Sequence, residues 1–162
     1  MEVYVLVTKE KTLAIKTATL ALFVVAAMST MYVILGYLEF FPMALLSWVV
    51  VFVLRNRYVE YEYSYFDGEL RFAKIINQSK RKELKTYQME EVVTIAPIDD
   101  RSVYSYINDK NAKITDLRSG NLNAVVYVAV VKNANGLEVI KYEPDKKYLD
   151  EVCIKYGFKV KK

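Results

Sequence analysis

Residues 58–72 read YVEYEYSYFDGELRF. Tyrosine stands at every second position, Tyr61, Tyr63 and Tyr65, until Asp67-Gly68 interrupts the pattern. A period of two marks a strand with one buried face, and an Asp-Gly pair between two such runs favours a two-residue hairpin turn. That turn sets the register: Tyr65 falls opposite Leu70, Tyr63 opposite Phe72, and Ser64 opposite Arg71 on the other face. A slip of one residue would break the apolar match, so pattern and turn support each other. The tyrosine row is therefore read as the core face of a strand, its hydroxyls reaching the sheet edge or rim. It is not read as an aromatic platform for a ligand.

Upstream the chain changes character. Residues 17–54 hold a single charged residue, Glu39. The run Thr17–Tyr37, TATLALFVVAAMSTMYVILGY, is close to the ~20 apolar residues that cross a bilayer as a helix. It is long for the apolar part of a signal peptide, and a second apolar segment follows almost at once. That segment, Phe40–Leu54, is FFPMALLSWVVVFVL, roughly 22 Å of helix against a hydrocarbon core of ~30 Å. Pro42 falls in its first turn, where a missing N–H costs nothing, and Arg55 can snorkel to lengthen the span, so a spanning helix is expected, with a re-entrant or buried core helix as the alternative. Lys9, Lys11 and Lys16 precede the first helix and Arg55 and Arg57 follow the second, with no Lys or Arg in the turn between. By the positive-inside rule both termini are cytoplasmic, in a multi-pass protein of the cytoplasmic membrane. Lys16, Arg55, Arg57 and Tyr58 are the expected membrane-interface anchors, and Ala26, Ala27, Ser29 and Gly36 offer small residues for close helix packing. The expected division is residues 1–57, with helices at 17–37 and 40–54, and a domain over 58–162.

Composition narrows the chemistry. Setting aside Lys9, Lys11, Lys16, Glu2, Glu10 and Glu39 leaves the net charge of +4 in residues 55–162. A small excess of mixed sign fits a domain beside an anionic surface better than a nucleic-acid binder. There is no histidine, and Cys153 is the only cysteine, which argues against zinc sites, Ser-His or Cys-His catalysis and internal disulfides. No glycine lies in a G-x-G-x-x-G or P-loop pattern. The carboxylates Glu90, Glu91, Asp99 and Asp100 come as adjacent pairs, which a strand sends to opposite faces. The reading is a non-enzyme with no catalytic residue, metal or cofactor.

Downstream, RKELKTYQM (81–89) reads as a third strand, EEVVTIAPI (90–98) as a strand or short helical turn ending at Pro97, and RSVYSYI (101–107) as another strand. Residues 108–123 read as the longest irregular stretch. AVVYVAVV (124–131) and LEVIKY (137–142) flank a hairpin turn at NANG. The first of these is apolar on both faces and needs cover on each. A helix after Pro144 is expected to supply it, with Asp145 as N-cap, Tyr148, Leu149, Val152, Cys153 and Tyr156 on one face, and Gly157 as C-terminal cap.

The ending LEVIKYEPDKKYLDEV resembles the terminal strand and capping helix of bacterial pleckstrin-homology (PH)-like domains. EYEYSYFDGELRFAKIINQSKRKEL resembles the opening hairpin of small bacterial two-helix membrane proteins of unknown function. The resemblance spans roughly residues 13–157. It implies an α+β membrane protein: an N-terminal transmembrane α-hairpin, then a PH-like antiparallel β-barrel or sandwich capped by a C-terminal α-helix. The expected function is a membrane-anchored binding or scaffold protein acting on an unidentified protein partner. The alternatives are an anionic-lipid sensor using Lys80, Arg81, Lys82 and Lys85, in an expected basic loop where lipid-binding PH domains carry such residues, or an accessory subunit of a membrane complex.

Overall fold

The register read from the Asp-Gly turn is the register observed. In the computed structural model, which describes residues 2–56, 58–134 and 136–161, strand β1 (Val3–Thr8) pairs antiparallel with β2 (Val59–Phe66). Asp67 and Gly68 take positive φ, 45° and 90°, and turn the chain into β3 (Glu69–Ile76). Tyr65 then faces Leu70, and Tyr63 faces Phe72. The left-handed φ favours glycine at position 68, and a Cβ there would lie 3.0 Å from the Tyr156 hydroxyl, which would have to shift by a few tenths of an ångström. With β4 (Lys80–Gln88) the first sheet has the order β1-β2-β3-β4.

The second sheet holds β5 (Val92–Pro97), β6 (Lys113–Asp116), β7 (Tyr127–Asn133) and β8 (Gly136–Tyr142) in the order β5-β7-β8-β6. Tyr61, Tyr63, Tyr65, Leu70 and Phe72 of the first sheet share one core with Ile95, Ala129, Val131, Ile140 and Tyr142 of the second. Neither sheet closes on itself among the described residues, which corrects the barrel alternative to two open sheets. A tight turn at Met89–Glu91 carries the chain from β4 to β5, and these two strands do not pair.

Three further expectations are corrected. RSVYSYI is a helix, α3 (Arg101–Ile107), because Asp100 Oδ1 accepts hydrogen bonds from the Ser102 N–H at 2.8 Å and its hydroxyl at 2.6 Å. Once capped, its apolar residues Val103, Tyr106 and Ile107 fall on one helical face, and they pack on Val128, Val130 and Val139. The outer face of β7 is thus covered by α3 (the C-terminal helix α4, Lys146–Tyr156, lies on the main core through Tyr148, Leu149 and Val152). Within 108–123, residues Lys113–Asp116 form β6, held parallel to β8 by tertiary pairing that no local signal announces. Asp145 caps α4 as expected, accepting from the Tyr148 N–H at 2.7 Å. Gly157 ends α4 with ordinary right-handed φ and runs on into a 3-10 turn, and Cys153 is half-buried outside the core.

Two helices form the other unit, residues 10–58. They are α1 (Leu13–Ile34) and α2 (Phe41–Arg55), the second preceded by a 3-10 turn at Leu38–Phe40. Gly36, at φ 98°, ends α1: its N–H donates to Val33 O and that of Tyr37 to Tyr32 O, the double bond pattern that satisfies the last carbonyls of a helix. The buried residues are small or slim: Ala26 and Ser29 on α1, Ala44, Ser47 and Val51 on α2, while Ala27 is exposed. Leu13–Ile34 and Leu38–Arg55 are long and apolar enough to cross a membrane.

Strand β1 belongs with residues 59–162, since residues 1–9 and 59–162 make one unit. The helical hairpin is thus an insertion between two paired strands, and the Lys9 N–H donates to Val59 O at 2.8 Å. Replacing residues 10–58 by an Asn-Gly turn is expected to yield a folded, monomeric protein, because two residues of that type suit an antiparallel pair. Dispersed amide NMR signals and a single cooperative melt would bear this out. An aggregated or molten product would show that the sheets need the hairpin.

Candidate functional site

The basic run does not lie in a loop. It opens β4, and only Asn77–Ser79 form the turn, with Asn77 and Gln78 at φ 51° and 56°. Strand alternation separates Lys80 and Lys82 from Arg81, and a bulge at Leu84 shifts the register between Phe72 and Ala73. Arg81 is engaged by Glu62, with Nη2 2.6 Å from Oε1 and Nε 3.1 Å from Oε2. Lys80 and Lys82 are exposed.

Lys85 turns inward. Its Nζ lies 3.0 Å from Oε2 of Glu138 on β8, a carboxylate that is 4% exposed, and the Tyr87 hydroxyl donates to the same oxygen at 2.6 Å. Burial would raise the Glu138 pKa, but the hydrogen bonds from Tyr87 and Lys85 outweigh it and hold the carboxyl below its ordinary range. This group ties β4 to β8 across the sandwich. Lys85 is thus held in an ion pair between the sheets, with 30% of its side chain still exposed.

A cleft lies elsewhere, at the loop between β6 and β7. Val7, Ala124, Val125, Tyr127, Pro144 and Leu149 give it apolar walls, Glu143, Asp145 and Lys146 line it as well, and its volume is about 630 Å³. A second, more polar hollow of about 450 Å³ adjoins it through Ala124 and Glu143 and is lined by Lys9, Asp116, Arg118 and Leu122 among others. The loop between them is braced. Glu143 Oε1 accepts from the Ser119 N–H and hydroxyl, both at 3.0 Å, and the Tyr63 hydroxyl donates to Leu117 O at 2.5 Å. Arg118 pairs with Asp116, Nη2 to Oδ2 at 2.6 Å, and its hydrogen bonds hold that carboxyl below its usual pKa. Sequence reasoning missed this site because its walls come from β1, the loop, the end of β8 and α4, and no motif links them.

The anchor residues are scattered as flanks. Lys16 is exposed in the first turn of α1, Arg55 is exposed at the end of α2 and Tyr58 is half-buried, while Arg57 lies outside the described residues. Lys11 has a role that the sequence did not reveal: its Nζ donates to Leu54 O at 3.0 Å and Arg55 O at 2.6 Å, satisfying carbonyls at the end of α2. The carboxylates Glu90, Glu91, Asp99 and Asp100 are not gathered. Glu90 accepts from the Tyr156 hydroxyl and Asp100 caps α3. Among the described residues no cluster of His, Cys, Asp and Glu fits a metal ion.

Residues 1–162 match the family described as "Bacterial PH-like domain (DUF6106)". The chain belongs to this family. The match runs from end to end, so it takes in β1 and the helical hairpin as well as the two sheets. No curated protein and no solved structure matches the sequence. A PH-like domain is a scaffold often used for binding, and its ligand is decided by surface chemistry rather than by the fold.

Proposed function

We propose that this DUF6106 protein is a membrane-anchored, non-catalytic binding module whose apolar cleft takes a segment of a protein partner. The observation that carries the reading is the cleft itself, whose apolar walls adjoin the charged groups of Glu143, Asp145 and Lys146. Such a lining fits a peptide segment that presents an apolar side chain and a basic group.

Membrane anchoring is supported by which residues the helices expose. Leu20, Phe23, Met28 and Met31 of α1 and Leu45, Leu46, Phe52 and Val53 of α2 all face outward, whereas a core helix of a soluble protein would bury them. A cleaved signal sequence is disfavoured because β1 precedes α1 and pairs with β2. The same pairing favours an even number of crossings, and the flanking lysines and arginines favour the cytoplasmic side. The 3-10 turn and α2 together measure about 28 Å at standard rises, near the ~30 Å of a hydrocarbon core.

A second reading, contact of Lys80 and Lys82 with anionic headgroups, is favoured by register. Ile76 pairs with both Val59 and Lys80, so these lysines lie at the end of the sheet from which the hairpin departs. Photo-crosslinking residues placed at Lys146 and at Lys82 in the full chain, in cells, test both readings. Lys146 is expected to give a discrete protein adduct that Ala124→Trp, which fills the cleft, abolishes. Lys82 is expected to give lipid adducts. No protein adduct at Lys146 would overturn the partner reading, and no lipid adduct at Lys82 the headgroup reading.

A further inference from the structure

Leu122 is fully exposed and Val125 is 66% exposed, an unusual placement for aliphatic side chains in a loop so firmly built. Ser119 is fixed to the buried Glu143 carboxylate, and its hydroxyl accepts from the Asn121 N–H at 2.9 Å. Asn121 Oδ1 in turn accepts from the Asn123 N–H at 2.9 Å, and the Ala124 N–H closes the turn on Asn121 O. Leu122 is thereby held at the tip of an ordered turn, where nothing among the described residues of its unit covers it.

This turn stands at one particular end of the sheets. It shares a hollow with Lys9, and Lys9 is hydrogen-bonded to Val59. These two residues are where the chain leaves for the helical hairpin and returns from it. Lys9 is four residues from Leu13, and four residues of chain reach about 14 Å at most. The opposite end of β2, roughly 26 Å away for eight residues, carries the Asp67-Gly68 turn and the C-terminal end of α4, where Lys155 lies 3.6 Å from Asp67. A second exposed apolar pair, Ile154 and Phe158, belongs to that α4 end, away from Lys9 and Val59.

We propose that the turn Asn121–Ala124 seats Leu122, with Val125 beside it, in the interfacial layer of the same bilayer that holds the hairpin. The doubly tethered end of the sheets is thereby fixed against the membrane, and the adjoining cleft opens beside the membrane surface. This rests on the reading of α1 and α2 as membrane-spanning. Burial of two aliphatic side chains among acyl chains and headgroups favours the docked state, and Lys9 and Lys80, at the same end, meet anionic lipid.

The test uses the full chain in a Cys153→Ala background, reconstituted in vesicles of phosphatidylcholine and phosphatidylglycerol containing a lipid with a spin-label quencher. An environment-sensitive fluorophore is attached at one cysteine: Leu122→Cys, Val125→Cys, Phe158→Cys or Met31→Cys. The expected result is blue-shifted, lipid-quenched emission at 122, 125 and 31, with 158 unquenched. Quenching at 31 but not at 122 or 125 overturns the proposal and leaves the spanning hairpin intact. No quenching at 31 overturns both. Equal quenching at 158 and 122 overturns the claim that one end of the sheets docks.

Discussion

Tyr63→Ala is expected to lower the stability of the sheet domain by about 3–5 kcal/mol, the range for removing a large buried aromatic side chain. The ring is fully buried and meets Phe72 and Tyr142 edge-to-face, with centroids 5.9 and 5.5 Å apart. Losing it removes both the apolar area and the aromatic contacts, against a total stability of about 5–15 kcal/mol for a domain. Its hydroxyl also matters, since it is the donor to Leu117 O that braces the loop beside the cleft. Tyr63→Phe is therefore expected to cost about 1–3 kcal/mol, because that carbonyl would be left without its donor. Tyr142 and Tyr148 give the contrast. Their hydroxyls are buried with no hydrogen-bond partner among the described residues, so Tyr142→Phe is expected to be neutral or stabilising. Denaturation midpoints in detergent, read by near-ultraviolet circular dichroism, would check the order. An unchanged midpoint for Tyr63→Ala would show that the tyrosine row is not core.

Glu138→Ala is expected to cost roughly 2–4 kcal/mol. Breaking a buried ion pair leaves its partner uncompensated, at about 3–5 kcal/mol when both charges are fully buried, and here Lys85 reaches water with 30% of its side chain exposed. The double variant Lys85→Met, Glu138→Leu is expected to recover most of the loss, because no lone charge is then left inside. The pair also predicts a pH dependence. The folded-state pKa of Glu138 is depressed relative to an unfolded value of about 4.3, so its contribution is complete above that pH. The contribution falls away as pH drops through the lower, folded pKa. Glu138→Gln should therefore flatten the acid limb of the stability profile, and an identical acid limb in variant and parent would show that the pair is not formed.

How much of this was legible in the sequence depends on the range of the interactions involved. Period-two tyrosines, the Asp67-Gly68 pair and the Asp145 cap are local signals, and the hairpin register and α4 followed from them because turn geometry and backbone sterics act within a few residues. The two apolar helices were legible for the same reason, since length and hydropathy need no tertiary context. The sequence was ambiguous where a short apolar run suits two periods. RSVYSYI alternates like a strand, and only the Asp100 cap and the apolar face of β7 waiting beneath it make α3 a helix. Long-range pairing was not legible. Val3–Thr8 became a strand because β2 offered an edge, Lys113–Asp116 because β8 did, and the basic run was split by the pleat of β4 and the bulge at Leu84. The cleft, the Lys85–Glu138 pair and the braced turn bearing Leu122 bring together residues from separate elements. Nothing in the spacing of those residues along the chain encodes their meeting, and only the closing of one sheet over the other brings it about.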